Sequence, residues 1–215
     1  GSGEFMPTED LALSIRKISA FASNRIARTA FELAATRRKK VTAVHKANVL
    51  HLTEGLFLRE VRKVAKEFPG VALDEIIVDA MAAYLVRNPA RFDVIVTTNM
   101  FGDILSDEAA ELSGSLGLAP SLNAGSDCAV AQAQHGSAPD IAGQDRANPT
   151  SLILSAAMLI EWLGSRRGNP VFHKAAESIG AAVDAALASA STRTADLGGS
   201  LGTRAFADAV ISFLR

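Results

Sequence analysis

The sequence predicts an α/β protein. Short β-branched runs, KVTAV (40–44), VALDEIIVD (71–79) and DVIVT (93–97), stand between segments whose apolar residues recur at helical spacing. Strands alternate with helices, which implies a largely parallel or mixed sheet with helices on its faces. A hydrophobic content of 48% is enough to fill the core such a fold needs.

Each element has its own signal. Residues 20–36 place Ala27, Ala30, Phe31 and Ala34 on one helical face. KVTAV follows as a strand, and the polar break HKAN leads to a second amphipathic helix carrying Leu52, Leu56, Val61, Val64, Ala65 and Phe68, stopped by Pro69-Gly70. VALDEIIVD is the next strand and AMAAYLVRN a helix ended by Pro89. DVIVT is short and β-branched, as buried strands are. NMFGDILSDEAAELSG (99–114) then runs from a turn into a helix. Residues 113–149, rich in Gly, Ser, Ala, Pro and Asn, are expected to form loops. Helices are expected over 150–163 and 170–190. RTADLGGSLGT is a glycine-rich turn region, and Thr203 is expected to cap a last helix bearing Phe206, Val210 and Leu214.

Bulk properties exclude several classes. A net charge of -1 offers no general attraction to nucleic acid or an anionic membrane. The basic run Arg37-Arg38-Lys39-Lys40 follows a helix, where cations favour the C-terminal end. The apolar stretch SLILSAAMLIEWLG is broken by Ser155 and Glu161 and is too short to span a bilayer. With Cys128 the only cysteine, no disulfide framework or cysteine zinc site exists. No signal-peptide pattern precedes the globular sequence, and a reducing, cytoplasmic setting is expected. Residues 1–6 read as an expression-tag remnant and a start Met.

Four clusters carry chemistry. VHKANV sets Lys46 beside His45 and Asn48 after a strand end; IVDAM sets Asp79 at another. Asp103 and Asp107 stand four apart on a helix, where like charges repel unless the face is solvated or a cation lies between them, and hard divalent cations take carboxylate oxygens. HGSAPDIAG (135–143) is a turn of small residues whose backbone N–H groups a phosphate could approach, without GxGxxG spacing.

The blocks VHKANV, TEGLF, IVDAM, LVRNPARFDVIVTTNMFGDILSDEAA, GSLGLAPS, HGSAPDIAGQ, ANPTSLILSAAM and RTADLGG occur in one order. Together the chain resembles the β-decarboxylating dehydrogenases that act on isocitrate, homoisocitrate, isopropylmalate and tartrate. The resemblance implies that family's two-domain fold, N-terminally truncated, with residues 7–112 forming the smaller α/β domain and its dimer helices. Residues 113–215 would be the C-terminal half of the larger, nucleotide-binding domain. It implies oxidation of a small 2-hydroxy acid by NAD or NADP and loss of the β-carboxyl with Mg²⁺ or Mn²⁺. Asp103 and Asp107 match the metal ligands, and Asp79 matches a third from the other subunit of a dimer. Lys46 matches the lysine that assists proton removal across that dimer, and Asn48 a residue near substrate and nicotinamide. Glu111 matches no role and is read as solvated.

His135, Gly136, Ser137, Ala138, Asp140 and Ile141 match the cofactor loop, and Asn148 an adenine contact. A carboxylate at Asp140 suits a free ribose 2′-OH and would repel a 2′-phosphate, so NAD is expected. Gln132 departs from the family, which has an acid there. VHKANV with TEGLF is closer to the isocitrate and homoisocitrate branch. The family's substrate arginines and catalytic tyrosine have no counterpart; Arg16 and Lys17 belong to a later block, and Tyr84 lies in an apolar helix. The chain is therefore expected to be inactive alone and to form a homodimer or higher oligomer; a companion chain supplying the N-terminal half would make an active assembly. The alternative is a non-catalytic dimerisation, scaffold or regulatory subunit of the same fold.

Overall fold

The computed structural model describes residues 3–214, so the first two residues of the expected tag remnant lie outside the described residues. The chain divides into two compact units between Glu108 and Ala109.

The first unit opens with an antiparallel ribbon, β1 (Gly3–Thr8) and β2 (Leu11–Ile15), exposed along both strands. The expected tag segment thus takes part in a strand from Gly3 onward. Helix α1 (Ala20–Ala35) follows, its N-terminus capped by Ser19, which accepts from the N–H of Ala22. Strand β3 (Lys40–His45), helix α2 (Thr53–Ala65), strand β4 (Ala72–Ile77), helix α3 (Val78–Arg87) and strand β5 (Val94–Thr97) complete a parallel sheet of order β4-β3-β5. Helix α4 (Asn99–Leu112) leaves the end of β5.

The period-two alternation of β3 sorts its side chains. Val41 and Ala43 join Phe31 of α1 and Phe57, Val61 and Val64 of α2 in one core. Val44 turns the other way, to Ile76, Met81 and Leu85 and to Leu105 of α4. The sheet therefore has helices on both faces, as the alternating pattern implies. Leu52 does not join the apolar face expected of it; it is 89% exposed, just ahead of the first turn of α2. The basic run lies beyond the end of α1 and is neutralised by acids near the sheet. Arg37 donates to Asp93 at 2.9 Å, Arg38 reaches Asp93 and the carbonyl of Ala90, and Lys40 pairs with Asp74 at 2.8 Å.

In the second unit the expected loop region contains an antiparallel hairpin, β6 (Pro120–Ala124) and β7 (Ala129–Ala133), with exposed Cys128 in its turn. Helix α5 (Thr150–Arg167) runs one turn beyond the expected 163; α6 (Pro170–Ala188) packs beside it, and α7 (Thr203–Phe213) packs against α6. Ala182, Val183, Ala186, Phe206 and Val210 form the core. Thr203 does not cap α7. It is the first helical residue, Gly202 holds the cap position, and the Thr203 hydroxyl donates to the carbonyl of Ala147 at 2.5 Å. Glu111 is exposed yet not merely solvated, because it accepts from the N–H of Leu116 at 3.1 Å. Among the described residues no helix is long and apolar enough to cross a membrane.

Candidate functional site

In the first unit the candidate residues sit at the carboxyl edge of the parallel sheet. Strand β3 pairs with both β4 and β5, so His45, Ile77 and Thr97 end side by side. Lys46 directly follows β3, Asp79 lies in the first turn of α3 just past β4, and α4 with Asp103 and Asp107 begins just past β5. The chain steps from β3 to β4 on one side and then crosses to β5 on the other. Crevices at such reversals, outside strand C-termini, are where open α/β sheets take ligands. Thr97 fixes the spacing there, its hydroxyl donating to the carbonyl of Val44 at 2.8 Å.

Two of the expected residues meet directly: the Lys46 ammonium donates to the Asp79 carboxylate. That hydrogen bond holds the Asp79 carboxyl below its ordinary value. His45 accepts from the N–H of Ala47 at its Nδ1, 3.1 Å away, so the neutral ring carries its proton on Nε2. Burial pushes the imidazole below its ordinary value, outweighing the attraction of Glu75 and Glu54. Glu75 is gripped by both arms of Arg62, at 2.7 and 2.6 Å, which keeps its carboxyl low. Asn48 is exposed in the turn after Lys46.

Asp103 and Asp107 are exposed on α4. Carboxylate oxygens one turn apart are a donor set suited to a hard divalent cation. Among the described residues no three His, Cys, Asp or Glu side chains come together as a group that could hold a metal ion.

The second unit holds the other expected residues. Gly136, Ser137, Ala138 and Asp140 are exposed, with Ala138 in the left-handed region at φ 43° and a 3-10 turn over Pro139–Ile141. His135 and Ile141 are half-buried, and His135 Nδ1 lies 2.8 Å from the carbonyl of Gly136. Asn148 is buried. Its Oδ1 accepts from the N–H of Thr150, and its Nδ2 donates to Asp196, both at 3.0 Å.

Asp196, Ser151 and Ser155 lie outside the four clusters, yet they build this loop's frame. Asp196 accepts from Ser115 at 2.6 Å and Thr194 at 2.5 Å as well as from Asn148. Burial raises its carboxyl, but these hydrogen bonds outweigh that and hold it below its ordinary value. Ser151 and Ser155, fully buried one turn apart on α5, clasp the hairpin from which the loop emerges. Ser155 accepts from the N–H of Ser121 at 3.0 Å and donates to the carbonyl of Gln132 at 2.8 Å. Ser151 donates to the carbonyl of Ala119 at 2.5 Å and accepts from the N–H of Gln134 at 3.3 Å. The available signal was polarity out of place: two serines four apart inside an otherwise apolar helix.

A family model described as "Isocitrate/isopropylmalate dehydrogenase" matches residues 2–210. The chain belongs to the isocitrate/isopropylmalate dehydrogenase family. It is 53% identical over 207 residues to an isocitrate/homoisocitrate dehydrogenase of Thermus thermophilus, covering 96% of this chain and 60% of that one. It is 49% identical over 206 residues to a 3-isopropylmalate dehydrogenase of Archaeoglobus fulgidus, covering 95% and 61%. The fold matches the crystal structure of isocitrate dehydrogenase from Methylococcus capsulatus with a TM-score of 0.90 at 43% identity, covering all of this chain and 62% of that one. The chain thus spans about three fifths of the length of these relatives.

Proposed function

We propose that these 215 residues form the lysine, metal and nucleotide portion of an NAD-dependent, metal-assisted oxidative decarboxylase of a small 2-hydroxy acid of the isocitrate or homoisocitrate type. The observation that carries this reading is the convergence of Lys46, Asp79 and the start of α4 on one edge of the parallel sheet. Held by these residues, Mg²⁺ or Mn²⁺ would supply Lewis-acid polarisation of the substrate's 2-oxygen, and NAD would supply the hydride acceptor.

The chain's own residues would act as follows. Asp103 and Asp107 hold the cation. Lys46 assists removal of the hydroxyl proton, and Asn48 orients substrate and nicotinamide beside it. Lys46 is bound to Asp79 within the chain, and would be released toward a substrate hydroxyl if Asp79 turned to join the acids of a second copy. This favours a homodimer with each site shared between copies. Gly136, Ser137 and Ala138 leave an open backbone for the pyrophosphate, with His135 and Ile141 at the borders of the loop. The exposed Asp140 receives the ribose hydroxyls, and Asn148 holds the far end of the loop at the adenine. No arginine cluster or tyrosine in these residues matches the family's substrate clamp and acid. The polypeptide by itself therefore binds without turning over, and a companion segment supplies the rest.

Calorimetric titration with Mn²⁺ and then NAD, with the oligomeric mass measured alongside, tests this. Saturable binding of both to a dimer, with Mn²⁺ binding lost in Asp103→Asn, is expected. A folded dimer that binds neither would overturn the reading in favour of an association module, which the exposed Leu11, Leu13 and Ile15 of β2 favour. NADH formation at ordinary enzyme rates by this polypeptide alone would overturn its inactivity.

A further inference from the structure

Glu54 is a fully buried carboxylate that the proposed chemistry does not use. It lies in the first turn of α2 and is ion-paired with Arg16, which follows β2. The same Glu54 oxygen accepts from the hydroxyl of Thr98 at 3.3 Å. Thr98 is the buried residue immediately before α4, and its carbonyl accepts from the N–H of Gly102 at 2.9 Å, closing the first turn of that helix. The Arg16 guanidinium also lies over the ring of Phe101, 5.0 Å from its centroid. Three separate segments, β2 with its outgoing residue, α2 and α4, therefore meet at one ion pair, its carboxylate fully buried and its guanidinium part-exposed.

Stability alone does not account for this arrangement. Removing two charges from water costs several kcal/mol per ion, and a well-packed apolar pair of the same volume is often as stable or more so. Glu54 Oε2 and Arg16 Nη1 are buried and have no hydrogen-bond partner among the described residues. What the pair supplies is direction: a charged acceptor and a flat cation engage the entrance of α4 at two successive points, Thr98 and Phe101.

The position of that entrance matters because of what lies along the helix. Asp107 is eight residues after Asn99, and at a rise of about 1.5 Å per residue it stands about 12 Å along the axis. A swing of about 10° at the entrance displaces its carboxylate by about 2 Å, whereas metal–oxygen distances tolerate roughly 0.2 Å. We propose that Arg16 and Glu54 are positioning residues that set the direction of α4, and through it the carboxylates of Asp103 and Asp107. The functional half of this inference rests on the metal reading given above; the half concerning the helix does not.

The experiment compares the full chain with Glu54→Gln and with the apolar double variant Arg16→Met/Glu54→Met. Amide hydrogen exchange over residues 99–105 is read against that over α3 as an internal control. Mn²⁺ affinity is measured from the spin-resonance signal of the free ion. The expected result is that both variants keep α3 protection, while exchange at the α4 entrance rises at least tenfold and the Mn²⁺ Kd rises roughly tenfold or more. If the singly substituted chain, left with an unpaired arginine, does not fold, the double variant decides. Unchanged exchange at the α4 entrance and unchanged Mn²⁺ affinity in a folded double variant would overturn the proposal by reducing the pair to packing. If the unsubstituted chain binds no Mn²⁺, the metal reading fails, and the exchange data alone uphold or overturn the positioning of α4.

Discussion

Asn148 and Asp196 meet side chain to side chain at 3.0 Å, although 48 residues separate them in sequence. Asp196 also gathers Ser115 and Thr194, so three segments of the second unit are referred to one carboxylate. Asp196→Asn would set an amide N–H against at least one of these donors. We expect a loss of about 1–2 kcal/mol in urea unfolding, below the usual figure for charged hydrogen bonds because the residue is exposed. The amide resonances of residues 134–148 should shift with it. Since the Asp196 carboxyl is held below its ordinary value of 3.8, this contribution is complete above that pH. It should fade as pH falls through the lower folded value. The Asn148 side-chain N–H₂ resonances would follow that loss directly.

Ser155→Ala should cost about 1–3 kcal/mol, because it strands the Ser121 N–H and the Gln132 carbonyl together. Amide exchange at Ser121 should quicken. The same change at exposed Ser165 of α5 should stay within about 0.5 kcal/mol.

Gly199 and Gly180 should respond to alanine with opposite signs. A Cβ at Gly199 would lie 2.1 Å from the carbonyl oxygen of Arg193, which is itself held by the N–H of Leu201. Gly199→Ala should therefore destabilise by about 3 kcal/mol and loosen the turn carrying Asp196. Gly180 sits within α6 with open space around it, and Gly180→Ala should stabilise by about 0.5–1 kcal/mol. Thermal denaturation of the two variants side by side checks both signs.

His45 titrates below its ordinary value of 6.5 because the folded chain buries it in the neutral form. The unfolded chain takes up the proton first as pH falls, so His45 makes stability decline below about pH 6.5. His45→Gln should flatten that part of the stability profile. An NMR titration of the imidazole that gave an ordinary or raised value would contradict this.

Much of the first unit was legible because local preference and tertiary role agree there. KVTAV and DVIVT are β-branched and alternate, and both became strands of the buried sheet. The hairpin over 120–133 was not legible. PSLNA and AVAQA have weak strand preference, and the serines that fasten them lie about twenty to thirty residues away on α5. The site divided in the same way. Lys46 and Asp79 were marked by their position at strand ends, and Asp103 and Asp107 by their spacing of four on a helix. Glu54 and Asp196 owe their importance to distant partners, Arg16 and Asn148, and spacing along the chain carries no trace of such pairs. Thr203 shows the limit of capping rules, since its hydroxyl answers to Ala147 and not to its own helix.

The turn of the β6–β7 hairpin carries Cys128, exposed and closed by a hydrogen bond from the Gly125 N–H to its carbonyl at 2.8 Å. As the sole thiol of the sequence, it lets a maleimide dye be attached at one defined point without any prior mutagenesis. The two serines of α5 hold the base of that hairpin and the start of the segment leading to the loop at 135–141. The chain thus comes with its own attachment point for an optical reporter, with which the dinucleotide binding proposed for that loop could be tested in real time.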